Sequence, residues 1–396
     1  MPLSDPPIDL RLVELMRGPW RRTPVTVALV TANILVFAFM VAHGAGFWHG
    51  SGSVQLQWGA NFGPATQDGE WWRLFTAMFL HFGVIHLALN AWALWDAGRL
   101  VERLFGSWRF ALLYLGAGLE GNLVSLVVQG NRAVSGGASG AIFGVFGALL
   151  VCLARERHAI EKREFRWLFG GAAVFTAASL GLGFAIPGID NAAHLGGFVS
   201  GALLGTVLAR ALDRERPVSP VLRALAAALL AGATAAFALH VPEPRYRLHE
   251  EIEARQAIRQ FLEDERRINA RWKAILDTGR GGGASFDELA GRIDADVTRE
   301  YQDSFEQLAS VALSAEAPSA AELDYLRRYA QLRGDAAHAL AEALRANDPV
   351  AIREAMEALR RAPQAARAAS AAASAAAAAS GPAPSMPAST ATHRPR

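Results

Sequence analysis

The chain lacks most of what secreted domains and soluble enzymes are built on. It has one cysteine, Cys152, set in an apolar run, so no disulfide framework exists. Charged residues are sparse through the first 240 positions and dense only from about 243 to 362. No His-Glu-x-x-His occurs, which removes the zinc-peptidase signature. The apolar segments hold no pair of aspartates for an aspartyl mechanism. The N-terminal apolar run is too long for a cleaved signal peptide, and no small-residue cleavage site follows it. No cofactor, metal or nucleic-acid partner is expected.

What is present is apolar length. Hydrophobic residues make up 52% of the chain and the mean hydropathy is +0.18. A bilayer core of ~30 Å needs ~20 apolar residues of helix. Seven stretches meet or approach that: 24–44, 74–95, 109–129, 137–154, 167–185, 192–209 and 219–241. The expected fold is all-α, a polytopic membrane helix bundle of six core helices and a seventh span, followed by a soluble helical domain. The seventh stretch is Ala-rich and the weakest on hydropathy.

Lys and Arg set the orientation. Segments 1–23, 96–109, 155–166 and 210–218 carry fifteen of them, while 45–70, 130–136 and 186–191 carry one, Arg132. The N-terminus is therefore expected in the cytoplasm, and seven spans place the tail outside. The second, fourth and sixth spans then run from outside to inside.

Polar groups cluster near the outer ends of those three spans. Ser139 stands in Gly136-Gly137-Ala138-Ser139-Gly140, His194 in Asn191-Ala-Ala-His194-Leu-Gly-Gly197, and His81, His86 and Asn90 share one segment. Ionisable and amide side chains in apolar spans are costly and point to function. Singly, each has a plainer role: serine packs helices, and His86 and Asn90 serve as polar glue between them. Together they are the parts of a nucleophilic hydrolase. Ser139 needs a base to take its proton, and His194 is the candidate. Gly136 and Gly137 allow a tight turn that exposes backbone N–H groups to an oxyanion. His86 and Asn90, four apart, share a helix face and can both donate to it. His81, treated as helical, falls about 140° away and is placed at the cavity mouth. Gly140, Gly144 and Ala148 form one small-residue face, and Gly197, Gly201 and Gly205 another. If these faces pack together, Ser139 and His194 meet at their outer ends. Glu120 and Asn122, in the third span, have no assigned role. Asp190 suits a helix N-cap better than catalysis.

Gly137-Ala-Ser139-Gly, the His81/His86/Asn90 segment, Trp72-Arg73, Glu102-Arg-Leu-Phe-Gly106 and Asn191-Ala-Ala-His194-Leu-Gly-Gly resemble the rhomboid family of intramembrane serine proteases over residues 24–210. The resemblance implies Ser139 as nucleophile and His194 as general base, with no required acid. It implies an oxyanion hole made by His86, Asn90 and the Ser139 N–H. Trp72 and Arg73 would lie in a membrane-embedded first loop. Phe143 stands where some members have tyrosine, and can still stack on His194. The implied substrates are transmembrane proteins, cut near the outer leaflet at small, helix-weakening residues. A non-catalytic relative that binds transmembrane helices and presents clients through the tail is the alternative.

The expected organisation is a cytoplasmic segment 1–23, a six-span membrane domain 24–210, a seventh helix 219–241, a soluble helical domain 243–362 and a disordered Ala/Ser/Pro-rich tail 363–396. The expected setting is a bacterial inner membrane, with lipid and substrate as partners and a protein partner for the soluble domain. Residues 248–277, 285–314, 319–346 and 349–362 read as its helices. Ser285…Glu288 and Ser319…Glu322 read as capping boxes.

Overall fold

The computed structural model describes residues 23–130, 132–210 and 218–379. The arginines before Thr23, the 211–217 loop and the tail from 380 lie outside the described residues. The described residues are helical, without a strand. Contacts divide the chain at Pro244/Arg245 into two units.

The first unit contains α1 (Pro24–Ala42), α2 (Arg73–Phe79), α3 (Val84–Phe105), α4 (Ser107–Gln129), α5 (Ser139–Glu156), α6 (Lys162–Ala185), α7 (Asn191–Leu208) and α8 (Pro220–Leu239). Six of these are long and apolar enough to cross a bilayer, and α2 with α3 makes a seventh if taken as one bent span. The central helix is α5, which holds much of the buried core.

The second span differs from the straight helix expected over 74–95. The chain breaks at Leu80–Gly83, and α2 and α3 meet at 92°. The break is made by backbone partners from the preceding loop. Phe82 O accepts from Gly50 N–H at 2.7 Å, and Val84 N–H donates to Phe47 O at 2.9 Å. Gly83 lets the two strands of chain touch, because a Cβ there would lie 2.2 Å from Trp48 O. His81 is thus in the break and on no helix face. Hydropathy cannot show this, since an apolar run reads the same whether the chain bends or not.

Glu102 anchors the start of α1. Thr23 caps nothing with its side chain. Instead the Glu102 carboxylate accepts from Val25 N–H (3.0 Å), Thr26 N–H (2.8 Å), the Thr26 hydroxyl (2.7 Å) and the Ser107 hydroxyl (2.7 Å). A buried carboxylate is tolerable only when its lone pairs are filled in this way. Glu120 accepts a hydrogen bond from Thr234 of α8 at 2.5 Å, tying α8 to α4. Asn122 donates to Leu74 O at 2.7 Å and fixes α4 to α2.

The second unit is a bundle of α9 (Leu248–Arg280), α10 (Phe286–Ile293), α11 (Arg299–Ser310), α12 (Ala320–Arg345) and α13 (Pro349–Ala379), with a π-helical turn Asp294–Thr298 joining α10 to α11. The Ser285–Glu288 capping box forms. The one expected at Ser319 does not: Glu251 of α9 accepts from both the Ser319 N–H and hydroxyl. Arg333 is buried, donating to the Tyr301 hydroxyl at 3.0 Å, while the Tyr329 hydroxyl donates to Glu265 at 2.5 Å. Burial and the neighbouring carboxylate push that hydroxyl up to about 12, so it stays a donor. The Ala/Ser stretch expected to be disordered from 363 continues as α13 through Pro363 to Ala379. Alanine is the best helix former, and Ala362, Ala366 and Ser370 are buried against the bundle.

Candidate active site

Two helix starts and the break in the second span converge on Ser139. It is the first residue of α5. Its Oγ lies 2.8 Å from Nε2 of His194, which sits in the first turn of α7. The two glycine faces bring these helices together. A Cβ on Gly197 would stand 2.0 Å from Gly140 O, and one on Gly201 would stand 2.2 Å from Gly144 O. Backbones this close pack only without side chains between them.

Phe143, one turn beyond Ser139, stacks on the His194 ring with centroids 4.3 Å apart and planes at 14°. That contact fixes the ring plane, and the Ser139 bond fixes its rotation. Among the described residues His194 Nδ1 has no hydrogen-bond partner. For Nε2 to accept the serine proton, Nδ1 must carry the ring hydrogen.

The loop before Ser139 is shaped by Gly137, at φ +146°. A Cβ there would fall 3.1 Å from His86 Nε2 and 3.5 Å from Ser139 Oγ. The backbone therefore leaves open the space that both groups border. The Gly137 N–H is not free for an oxyanion, contrary to expectation, because it donates to Ala77 O at 2.8 Å. The N–H of Ser139 heads its helix, beyond reach of any intrahelical carbonyl. His86 Nδ1 accepts from Phe82 N–H at 3.4 Å, which puts the ring hydrogen on Nε2, the nitrogen on the side of Gly137. Asn90 Nδ2 donates to His86 O at 3.1 Å, and its amide has a second hydrogen beyond that bond. His81 is 1% exposed, with its ring edge-on to His86 at 5.1 Å, so it backs His86 from inside. Its carbonyl accepts from Gln55 at 3.0 Å, a contact with no signal in the sequence.

Arg73 organises the loop that precedes α2. It pairs with Glu70 at 2.6 Å, donates to Leu56 O at 2.6 Å and lies over the Trp72 ring at 4.7 Å. Trp72 packs where a Cβ on Gly59 would be 2.7 Å away.

Asp190 caps α7 through Ala193 N–H at 3.0 Å and also binds outside its helix. It accepts from Ser135 at 2.5 Å and from Ser125. One carboxylate thus ties the Ser139 loop to the His194 helix. Asp190→Ala is expected to lower kcat by roughly ten- to a hundredfold by displacing the loop, with KM little changed. Asp190→Asn, which still caps, is expected to restore most of it. Unchanged kcat in Asp190→Ala would reduce the residue to a cap.

A family model for the Rhomboid domain matches residues 68–211. The putative rhomboid protease YdcA of Bacillus subtilis is 31% identical over 197 residues, covering 49% of this chain and 94% of that protein. The chain belongs to the rhomboid family. Rhomboid protease GluP of the same bacterium is 38% identical over 211 residues, and RHOMBOID-like protein 1 of Arabidopsis thaliana 44% over 140. This rhomboid spans 39% of the length of GluP and 34% of the plant protein, and the matches cover 52% and 35% of it. It is an integral, multi-pass membrane protein.

Proposed function

We propose that this rhomboid is an intramembrane serine endopeptidase that cuts transmembrane segments of other proteins near the outer leaflet. The observation that carries the reading is the 2.8 Å hydrogen bond between Ser139 Oγ and His194 Nε2 at two facing helix starts. His194 takes the serine proton as Oγ attacks the substrate carbonyl. The oxyanion forms beside the Ser139 N–H, the His86 Nε2–H and the second hydrogen of the Asn90 amide. His194 then gives its proton to the leaving amine, and water releases the acyl group by the same steps in reverse. Gly137 leaves room for the carbonyl.

Removing one oxyanion donor typically costs ~10²–10³ in rate. His86→Ala and Asn90→Ala are expected to lower turnover by that order while substrate binding persists. Unchanged turnover in both variants would make them packing residues.

Purified protein in vesicles, given a reporter with one transmembrane helix carrying small residues near its outer end, is expected to cut within that outer turn. Mass spectrometry of the products locates the bond. A cut only in soluble sequence, or none, would sink the proposal.

The fifteen-to-one loop asymmetry, taken with seven spans, favours a soluble unit outside the cytoplasm. Alkaline phosphatase fused after residue 245 is expected to be active. An inactive fusion, with a cytoplasmic reporter active at the same junction, would place the tail inside.

A further inference from the structure

A cavity of about 430 Å³ opens between α3, α5 and α6, apart from the Ser139 site. It is lined along α5 by Phe146 and Leu149, seven and ten residues beyond Ser139. That puts it roughly 10–15 Å farther along the helix. Two features make the space. The first is a pair of glycines, Gly170 and Gly171, in the facing stretch of α6. Unlike Gly144 and Gly201, they meet no neighbour: a Cβ on either would have nothing within 4 Å. Glycine in a helix costs about 1 kcal/mol relative to alanine, and helix packing does not account for it here. The second is a π-helical turn at Leu94–Gly98, which brings Asp96 and Ala97 to the cavity wall. Such turns concentrate at functional positions.

The cavity is polar at one end only. By helix register, Trp92, Phe146 and Phe175 stand at the end nearer Ser139, where Phe175 contacts both other rings at 6.0 and 4.6 Å. Asp96 and Arg166 stand at the opposite end, both exposed, beside Trp167. Tryptophan at that depth marks the lipid–water boundary. The site thus offers an apolar slot below Asp96 and Arg166, with Arg99 flanking Asp96 one turn along α3.

We propose that this cavity binds a phospholipid with a primary ammonium headgroup, of the phosphatidylethanolamine class. An acyl chain fills the aromatic slot, the phosphate pairs with Arg166 and the ammonium donates to Asp96. A phosphatidylglycerol headgroup has no ammonium to donate to Asp96. A quaternary ammonium lacks the N–H groups that Asp96 accepts. The assignment stands independently of the protease reading.

The test uses the full-length protein in mixed micelles of phosphatidylethanolamine, phosphatidylcholine and phosphatidylglycerol, equimolar and with identical chains. Native mass spectrometry counts the retained lipid. Phosphatidylethanolamine is expected about tenfold above the other two, the worth of one charge-assisted hydrogen bond. Asp96→Asn is expected to erase that preference, and Arg166→Gln to lower retention of all three about tenfold. Gly171→Leu is expected to fill the slot and remove bound lipid. Its side chain enters open space, so an unchanged melting temperature checks that the fold is intact. Equal retention of the three lipids by the unaltered protein would overturn the proposal. So would full retention in Gly171→Leu, including the case in which that variant raises KM for a substrate helix while bound lipid is unchanged.

Discussion

Ser139→Ala and His194→Ala are each expected to reduce cleavage of a transmembrane reporter to background, and the double variant to be no worse than either. A serine hydroxyl is a poor nucleophile without a base, and the base has nothing to activate without the serine. Groups that act as one unit lose their whole effect at the first deletion. The expected loss is on the order of 10⁴–10⁶ in turnover. His194 lies 2.8 Å from Oγ and its ring is held by Phe143, so His194→Ala removes the base without opening a path for another. Substrate binding should persist in both variants, measured by co-purification of an uncut reporter. Additive losses, or turnover well above background in Ser139→Ala, would contradict a shared mechanism.

Gly201→Leu is expected to be the most damaging substitution outside the site. The glycine lies on α7 with no room above it: a Cβ would sit 2.2 Å from Gly144 O and 2.3 Å from Gly144 Cα. Those atoms are backbone and cannot swing aside. The helices must separate, and α7 carries His194 two turns away. Overpacking of this kind costs about 1–3 kcal/mol. A displacement of ~1 Å between nucleophile and base costs about a hundredfold more in rate. Thermal melting in detergent and reporter cleavage should both fall, cleavage by the larger factor. Gly232→Leu on α8, whose Cβ also meets nothing within 4 Å and which lies outside the cavity described above, is the control for leucine in a membrane helix. Equal behaviour of the two variants would show that the Gly144–Gly201 contact does not set the site.

The glycine faces were legible because a four-residue repeat of small residues has one physical use in a membrane helix. Ser139 and His194 were legible for the opposite reason: polar groups cost too much in an apolar span to be incidental. The bent second span was not, because its break rests on hydrogen bonds from residues 47–50, thirty or more positions earlier. That also hid the true place of His81 and the use of the Gly137 N–H by Ala77. Glu102 and Glu251 show the same limit. Each caps a helix it does not belong to, and nothing local distinguishes them from any acidic residue. Ser319 and Glu322 have the spacing of a capping box, yet the tertiary partner Glu251 takes the serine. At Pro363 a breaker signal is overruled by packing, since Ala362 and Ala366 are buried on either side of it.

Covalent capture by a fluorophosphonate probe tests the central claim most directly, because it needs no substrate. Full-length protein in vesicles is expected to gain one adduct, located on Ser139 by mass spectrometry, and to lose it in Ser139→Ala and His194→Ala alike. Absence of an adduct in the unaltered protein, or an adduct that survives Ser139→Ala, would contradict a serine nucleophile and leave a membrane protein that binds helices without cutting them.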